Sequence, residues 1–302
     1  MTVWPRQLST PSDPPDSRRM AKITPIEFKV FSKYIFDVCG ITLKEGKEYL
    51  IETRLSPLLE KHGCVSFSEI YYRAKRDKDL EKEIVDAIST NETFFFRDVT
   101  PFEVLQHKIL PDLIDKRGRS LRPGTRIPIR ILSLGCSTGQ EVYTITFVLR
   151  ALGLGTDMYA IRLIGVDVSN AAIAKASYGV YSEFELSRGL SPAQISQYFL
   201  KLDENRWKVR DEYRWLATFE THNIFDTSKD LGRFDIIFCR NVGIYFSPID
   251  RIKMYEKIAA MLEPDGYLLI GASESLTYDT DRFVPKKYLR AVFYQPNPAV
   301  TG

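Results

Sequence analysis

The sequence predicts an α/β protein in which a largely parallel sheet carries a small antiparallel β insertion and follows an all-helical N-terminal domain. Up to about Ser89 the apolar residues recur at helical spacing, and from Ile129 onward short strand patterns alternate with helical ones. The 302 residues are long enough for this combination. We divide the chain into a disordered leader (1–19), a helical domain (20–90), a connecting segment (91–127) and an α/β domain (128–302) with its insertion at about 180–220.

The composition is that of an ordinary globular protein, with 44% hydrophobic and 27% charged residues. No apolar run approaches the roughly 20 residues that cross a bilayer. We therefore expect a cytoplasmic protein with no membrane insertion, and a monomer. Four scattered cysteines and three histidines show no ligand spacing, so we expect neither a metal nor a disulfide framework. A net charge of +3 is too small to predict a nucleic-acid partner.

Start and stop signals predict the N-terminal helices. The leader is rich in Pro, Ser, Thr and Asp and cannot form a packed face. Thr24-Pro25-Ile26-Glu27 is a capping box with proline at the first helical position, and Gly40 supplies the stop. Charges of alternating sign favour solvated helix faces over a binding patch. Three more helices are expected at Lys47–His62, after the capping box Ser66–Glu69, and around Leu80, Ile84, Ala87 and Ile88.

The connecting segment is predicted to contain one further helix. Thr100-Pro101-Phe102-Glu103 repeats the start signal, and Pro111 is expected to kink the helix. The stretch from Lys116 to Arg130 contains six basic residues and no acidic one. Such a run can face phosphate or an acidic protein, but we favour a solvated loop.

The stretch from Ile129 to Tyr143 organises the α/β domain. Branched apolar residues predict a strand buried on both faces, the small residues Gly135 to Gly139 predict a tight loop, and a helix is expected from Gln140. This order places backbone N–H groups at the carboxyl edge of a parallel sheet, where α/β folds bind nucleotides. An ordinary turn without a ligand is the alternative.

A second strand, Ile161 to Val168, completes a βαβ unit. Asp167 lies at its tip, where a carboxylate can accept hydrogen bonds from both ribose hydroxyls of a nucleoside. Ser169 is expected to cap the helix that follows. A capping role for Asp167 itself is the alternative to ligand binding.

The segment from Tyr178 to Thr221 departs from the strand–helix alternation. Ser191-Pro192-Ala193-Gln194 starts a short helix, and alternating runs around Trp207 and Trp215 predict a hairpin that turns at Asp211-Glu212. The exposed edge of such an insertion can bind a partner peptide. The alternative is that the two tryptophans form the insertion's own core.

The sheet is expected to resume at Phe234 to Cys239, followed by a helix that Ser247-Pro248 opens. A turn at Glu263 to Gly266 leads to a strand at Tyr267 to Ile270 and a last strand at Leu289 to Tyr294. Two final antiparallel strands resemble the end of a class I methyltransferase sheet, which is Rossmann-like. The Gly-x-Gly-x-x-Gly turn that is common in dinucleotide dehydrogenases is missing.

Four ordered motifs between Asn91 and Leu276 resemble those of the CheR-type chemotaxis-receptor methyltransferases. They match N-x-T-x-F-F-R, S-T-G-x-E, F-D-x-I-x-C-R-N-V-L-I-Y-F and G-x-S-E-S-L, and in this chain they begin at Asn91, Ser137, Phe234 and Gly271. Two departures are Val142, where the family often has Pro, and Gly243, where it often has Leu. Gly243 is expected to loosen the backbone beside Asn241 and Tyr245.

The resemblance implies methylation of glutamate side chains on chemoreceptor proteins with S-adenosylmethionine, which gives glutamate methyl esters for sensory adaptation and S-adenosylhomocysteine. A carboxylate is already anionic at neutral pH, so no general base is needed. Catalysis should come from aligning oxygen, methyl and sulfur and excluding water. Receptor cytoplasmic helices are the implied partners, with a receptor C-terminal peptide at the β insertion as a further one. No nucleic-acid partner is expected.

The resemblance also implies the site residues. Arg97 is expected to hold the incoming carboxylate and Tyr245 to lie near the transferring methyl group, so these two are the catalytic candidates. Pairing of Arg97 with Glu141 and a packing role for Tyr245 are the alternatives, and Phe94 to Phe96 are expected in the core. The expected cofactor contacts are Asn91, Thr93, Arg97, Gly135, Glu141, Asp167, Asn223, Ile224, Arg240 and Asn241.

Two rival functions have weaker support in the sequence. A nucleic-acid methyltransferase would suit the basic run, but the chain lacks the N/D-P-P-Y/F/W motif of base-amine methylation and a Cys-Pro pair. A noncatalytic cofactor-binding or signalling scaffold would have no need of Arg97, Arg240, Asn241 and Tyr245.

Overall fold

The computed structural model describes residues 22–122, 124–155, 157–226 and 230–300. The predicted leader, 1–19, lies outside the described residues. Among the described residues, no helix is both long enough and apolar enough to cross a membrane. Four helices pack around one apolar cluster at the start of the described chain. They are α1 (Pro25–Cys39), α2 (Glu48–His62), α3 (Phe67–Ala74) and α4 (Lys78–Ile88).

The helix signals of this region are confirmed, with one exception. Thr24 and Glu27 form the complete capping box, and Gly40 ends α1 at φ 78°. The second box is only half formed. The Ser66 hydroxyl accepts from the Glu69 N–H, but the Glu69 carboxylate accepts from Val65 N at 2.9 Å and not from the Ser66 N–H.

A long helical segment leads from the N-terminal helices to the sheet. It comprises α5 (Thr100–Val104), a π-helical turn (Leu105–Ile109) and α6 (Leu110–Ser120). The predicted irregularity near Pro111 therefore takes the form of a π turn that ends just before it. Proline has no N–H to continue the regular ladder, so the wider turn fits here. Thr100 begins α5 but does not cap it, because the flanking position belongs to Val99 and carries no side-chain cap.

The main sheet has seven strands in the order β6-β2-β1-β7-β8-β10-β9. Strands β6, β2, β1, β7 and β8 are parallel, whereas β10 runs antiparallel to both β8 and β9. The strands are β1 (Ile127–Leu134), β2 (Tyr159–Asp167), β3 (Val180–Ser182), β4 (Phe199–Lys201), β5 (Arg206–Val209), β6 (Ala217–Thr221), β7 (Phe234–Cys239), β8 (Leu262–Ile270), β9 (Phe283–Tyr288) and β10 (Ala291–Pro296).

Helices pack on both faces of this sheet and enclose two apolar clusters. The remaining helices are α7 (Gln140–Ala151), α8 (Asn170–Tyr178), α9 (Glu183–Ser187), α10 (Pro192–Tyr198), α11 (Asp211–Arg214) and α12 (Pro248–Met261), with a 3₁₀ turn at Gly243–Tyr245. Strands β3, β5 and β4 form the separate antiparallel insertion. The predicted class I methyltransferase fold, with a small antiparallel insertion and N-terminal helices, is confirmed.

The predicted hairpin through the two tryptophans is wrong. Asp211 to Arg214 form the short helix α11, in which the Arg214 guanidinium pairs with Asp211 at 2.7 Å. The following strand, β6, joins the edge of the main sheet beside β2, because Phe219 packs there against Tyr143 at a ring distance of 5.5 Å. Trp207 is half-buried in the insertion, but Trp215 is 80% exposed and belongs to no core.

Two further expectations at the end of the chain are wrong. Glu263 to Gly266 do not form a separate turn, because they continue strand β8, whose register with β7 shifts between Phe234 and Ile236. Leu289 lies in the tight turn between β9 and β10 at φ 51°. Strand β9 was not predicted, because Pro285 and two exposed lysines interrupt its apolar pattern.

The basic run from Lys116 to Arg130 is solvated only in part, because Arg119 and Arg126 are exposed but Arg117 and Arg130 are partly buried. Arg117 and Arg130 converge on Asp235, whose side chain is 2% exposed, at 2.7 and 3.3 Å. Arg117 also reaches Asp265 at 3.0 Å and Arg130 reaches Glu263 at 2.8 Å. The run therefore supplies an ion-pair cluster at the amino-terminal edge of the sheet, where β1, β7 and β8 begin.

Replacing Asp235 with alanine should destabilise the fold. The change leaves two guanidinium groups near a buried site without their shared carboxylate. Because Arg117 and Arg130 are 27% and 32% exposed, we expect the lower end of the range for a broken buried pair, about 3 kcal/mol. The measurement is denaturant unfolding. Asp157→Ala is the control. The Asp157 side chain is fully exposed in its ion pair with Arg126, so this substitution should leave the free energy of unfolding unchanged. Equal effects of the two changes would contradict this account.

Candidate functional site

A cleft of about 380 Å³ lies between the carboxyl ends of the parallel strands and the N-terminal helices. The structure brings both catalytic candidates and most of the predicted cofactor contacts to its walls. The predicted residues that line it are Asn91, Thr93, Arg97, Gly135, Glu141, Asp167, Ile224, Arg240, Asn241 and Tyr245.

The loop after β1 forms one wall of the cleft and requires an unusual backbone. Gly135 has φ 66°, and a Cβ there would lie 2.6 Å from the side chain of Val242. Ser137 and Gly139 also have positive φ, at 51° and 94°. Glycine at position 135 therefore lets the backbone of this loop pass close to Val242 at the wall of the cleft.

Asp167 fixes this loop from the neighbouring strand. Its carboxylate, in a residue that is 9% exposed, accepts hydrogen bonds from Ser137 N at 2.8 Å and Ser169 N at 3.0 Å. Burial raises the pKa of Asp167 even though these hydrogen bonds oppose the shift. Asp167 is not the cap of α8, because the Ser169 hydroxyl accepts from Ala172 N at 3.0 Å. The carboxylate retains lone pairs for further donors in the cleft.

Arg240 is the central charge behind the cleft, with a side chain that is 1% exposed. Its guanidinium donates to Glu141 at 2.8 Å, to Asp98 at 3.0 Å and to the carbonyl of Arg97 at 2.6 Å. Glu141 also accepts from the Ser133 hydroxyl at 2.8 Å. The alternative pairing of Arg97 with Glu141 is therefore wrong, because Arg240 occupies Glu141.

The side chain of Arg97 is engaged differently. One guanidinium nitrogen donates to the carbonyl of Glu92 at 2.6 Å, and the group lies 5.7 Å from the centre of the Phe94 ring. In the part of the chain that the structure describes, no carboxylate lies within salt-bridge distance of it. A hydrogen bond from Arg188 lowers the pKa of the nearby Glu92 carboxylate, and the charge of Arg97 adds to this shift. The Arg97 guanidinium itself makes no direct ion pair among the described residues and can bind an incoming carboxylate.

Of the three phenylalanines expected in the core, Phe95 is fully buried and Phe96 packs partly buried against two apolar clusters. Phe94 is only half-buried, and its ring contacts the guanidinium groups of Arg97 and Arg188, so the prediction is wrong for this residue.

Glu274 organises the opposite wall, although no role was predicted for it. Its carboxylate accepts from Asn241 N at 2.7 Å, Gly243 N at 3.1 Å and Gly271 N at 2.8 Å. These bonds hold Asn241 at φ 58° and fix the backbone at Gly243. A Cβ at Gly243 would lie 3.2 Å from this carboxylate, so glycine fits closely here. The motif that begins at Gly271 was the available signal for Glu274.

The N-terminal helices close the cleft with residues that sequence reasoning missed. Arg54 on α2 donates to the carbonyls of Ile88 and Ser89 and, at 3.0 Å, to the Thr90 hydroxyl, so it ties down the segment before Asn91. The N–H of Thr42 donates to the carbonyl of Tyr245 at 3.1 Å. We expected the charged residues of these helices to face solvent, so nothing in their pattern indicated a structural role for Arg54.

Asn223 is the predicted contact that does not line the cleft. Its amide nitrogen donates to the carbonyl of Val38 at 3.0 Å, and its amide oxygen accepts from Phe225 N at 2.9 Å. The side chain therefore joins α1 to the segment after β6. The adjacent Ile224 does line the cleft.

Known families and proteins match nearly the whole chain. Residues 91–291 match the family described as CheR methyltransferase, SAM binding domain, and residues 26–89 match its all-alpha domain. A chemotaxis protein methyltransferase of Vibrio parahaemolyticus is 39% identical over 85% of this chain and 92% of its own length. Chemotaxis protein methyltransferase 1 of Pseudomonas aeruginosa is 36% identical over 85% of this chain and 93% of its own length. The chain belongs to the CheR methyltransferase family.

Proposed function

We propose that this protein transfers the methyl group of S-adenosylmethionine to glutamate side chains of chemoreceptor proteins and so forms glutamate methyl esters. One observation carries the proposal beyond family membership. The cleft places the unpaired guanidinium of Arg97 beside the carboxyl ends of the strands, where the buried acid Asp167 lies. A cation for the acceptor and an anion for the ribose thus line the same cleft.

The proposed chemistry needs no proton transfer to the acceptor. A glutamate carboxylate is ionised at neutral pH, so one of its oxygens attacks the methyl carbon and the carbon–sulfur bond breaks. The products are the methyl ester and S-adenosylhomocysteine. Arg97 would hold the carboxylate in line, and Tyr245, which lines the same cleft, would pack beside the methyl group.

The cofactor is proposed to lie along the loop after β1. Asp167 would accept the ribose hydroxyls, and the buried amide oxygen of Asn241, which has no hydrogen-bond partner among the described residues, would accept a donor of the cofactor. Glu141, which the hydrogen bond from Arg240 holds in place, would accept hydrogen bonds from polar groups of the cofactor. The other proposed contacts are Asn91, Thr93, Arg97, Gly135, Ile224 and Arg240.

Receptor cytoplasmic helices are the proposed partners, and we propose that the protein works in the cytoplasm as a monomer. The β insertion offers a further contact through the free edge of β4. Cross-strand bonds to β5 use the carbonyl of Tyr198 and the N–H of Leu202, each at 2.9 Å. Because antiparallel pairs alternate, Phe199 and Lys201 direct their N–H and C=O groups away from β5. The N–H of Phe199 already donates to the carbonyl of Ile195, so the N–H of Lys201 is the one that faces a partner strand. A receptor C-terminal peptide can add there as another strand.

Incubation with methyl-labelled S-adenosylmethionine and a receptor cytoplasmic fragment should place base-labile label on glutamate. Arg97→Ala should lower kcat/KM for the receptor about 10- to 100-fold, the range for losing a hydrogen bond to a charged group. Arg76→Ala, at an exposed arginine in the turn between α3 and α4, is the control and should leave the rate unchanged. Absence of label on glutamate from wild-type protein that binds the cofactor would sink the proposal.

Lys201→Pro should abolish binding of a synthetic receptor C-terminal peptide, because proline removes an N–H that faces the free edge. Lys201→Ala retains that N–H and is the matched control. Peptide titration by calorimetry gives the answer. If the proline variant is folded and binds as well as the alanine variant, the peptide does not add to β4.

A further inference from the structure

The β insertion contacts two walls of the cofactor cleft from outside. On one side, Phe95 of the first family motif is fully buried in the insertion's aromatic cluster, 5.1 Å from the Tyr181 ring and 5.4 Å from the Phe199 ring. A Cβ at Gly189 would lie 1.9 Å from the carbonyl oxygen of Phe95, so the two backbones touch. On the other side, the Tyr181 hydroxyl donates to the carbonyl of Thr138 at 2.6 Å.

The bond from Tyr181 reaches the same loop that Asp167 holds. Asp167 accepts from the N–H of Ser137 at 2.8 Å, and Tyr181 donates to the next residue's carbonyl. Ser137 and Gly139, on either side of Thr138, both have positive φ angles. A backbone held in such a conformation persists only where its surroundings fix it.

We propose that Tyr181 is a positioning residue for cofactor binding, which fixes the loop Gly135–Gly139 in its binding conformation through the Thr138 carbonyl. The insertion then supports the cleft in addition to offering an edge for a partner. This inference rests on the proposed placement of S-adenosylmethionine along that loop.

The environment of Tyr181 suits a permanent donor. The residue is 1% exposed, and burial raises its pKa well above the usual value, which favours the protonated phenol that donates this bond. The Thr138 carbonyl would lose this donor if the hydroxyl were removed. The loop would then sample other conformations, and part of the cofactor's binding free energy would be needed to restore the binding one.

The chain offers a matched control in the same aromatic cluster. Tyr143 is also 1% exposed, and its hydroxyl also donates to a backbone carbonyl at 2.6 Å. That carbonyl belongs to Ala176 in α8 and not to the loop. Tyr143→Phe and Tyr181→Phe therefore remove the same atom at the same exposure and bond length, and they release different stretches of backbone. Tyr143→Phe also removes the interaction of this hydroxyl with the Arg214 side chain.

The test is the affinity for S-adenosylhomocysteine by calorimetry, together with denaturant unfolding. Tyr181→Phe should bind about 3- to 10-fold more weakly, which corresponds to the loss of one hydrogen bond, whereas Tyr143→Phe should stay within about twofold of wild type. The losses of stability should be similar. With saturating S-adenosylmethionine, kcat of Tyr181→Phe should stay near the wild-type value, because the loss falls on the KM for the cofactor.

Equal affinity of the two phenylalanine variants would overturn the inference. So would a Tyr181→Phe chain that does not fold while Tyr143→Phe does, because the residue would then serve general stability. Asp167→Ala separates this failure from failure of the proposed function, since it should weaken binding about 5- to 150-fold. Wild-type protein without affinity for S-adenosylhomocysteine, or an Asp167→Ala variant that binds normally, would refute the placement of the cofactor itself.

Discussion

The buried guanidinium of Arg240 is the interaction on which the cleft depends. A charge with a 1% exposed side chain is tolerated only with close partners, and this one takes them from two other parts of the chain. Glu141 lies at the start of α7, Asp98 lies in the connecting segment, and Arg240 itself follows β7. The ring of Phe102 covers it at 5.4 Å. One cation thus joins the first strand–helix unit, the fourth parallel strand of the sheet and the segment that carries Arg97.

The two arginines at the cleft therefore have different roles. Arg240 has its charge balanced inside the protein and shapes the cleft, whereas Arg97 has no carboxylate partner in the described part of the chain and can receive one from a substrate. The backbone around them is held in a conformation that non-glycine residues seldom adopt. Four such residues with φ between 51° and 58° lie in the segments around the cleft: Phe96, Asp98, Ser137 and Asn241. Clustering of this kind is typical of functional sites, where surrounding contacts fix a backbone that costs about 1–3 kcal/mol per residue.

Features that depend on neighbouring residues could be predicted from the sequence, whereas ion pairs between residues far apart in the chain could not. The capping box at Thr24, the strand before Gly135 and the acid at the tip of β2 depend on neighbours along the chain, and the structure has them where the patterns predicted. The partner of Glu141 comes from 99 residues away, and a pattern of residue types cannot choose between Arg97 and Arg240. Distance along the chain also hid the acids that bind Arg117 and Arg130, which made a structural cluster look like a solvated loop.

The strand pairing of the β insertion was also not predictable from the residue pattern alone. Alternation around Trp207 and Trp215 looked like a hairpin, but the pairing partners of β5 come before it in the chain and β6 belongs to the main sheet. Register depends on which faces are buried, and that is decided by the whole sheet. The family motifs located the cleft because they record residue types at positions that only the folded chain brings together. A residue role taken over from a family resemblance can still be wrong at a single position. Asn223 is an example, because its side chain forms hydrogen bonds with the backbone of Val38 and Phe225.

A crystal structure with bound S-adenosylhomocysteine would show whether the cleft is already formed to receive S-adenosylmethionine. We expect ribose hydroxyls within about 3.2 Å of the Asp167 carboxylate, with the bonds from Ser137 and Tyr181 to their present partners intact. A nucleoside bound elsewhere, or a loop between Gly135 and Gly139 that rebuilds its backbone around the ligand, would contradict this expectation.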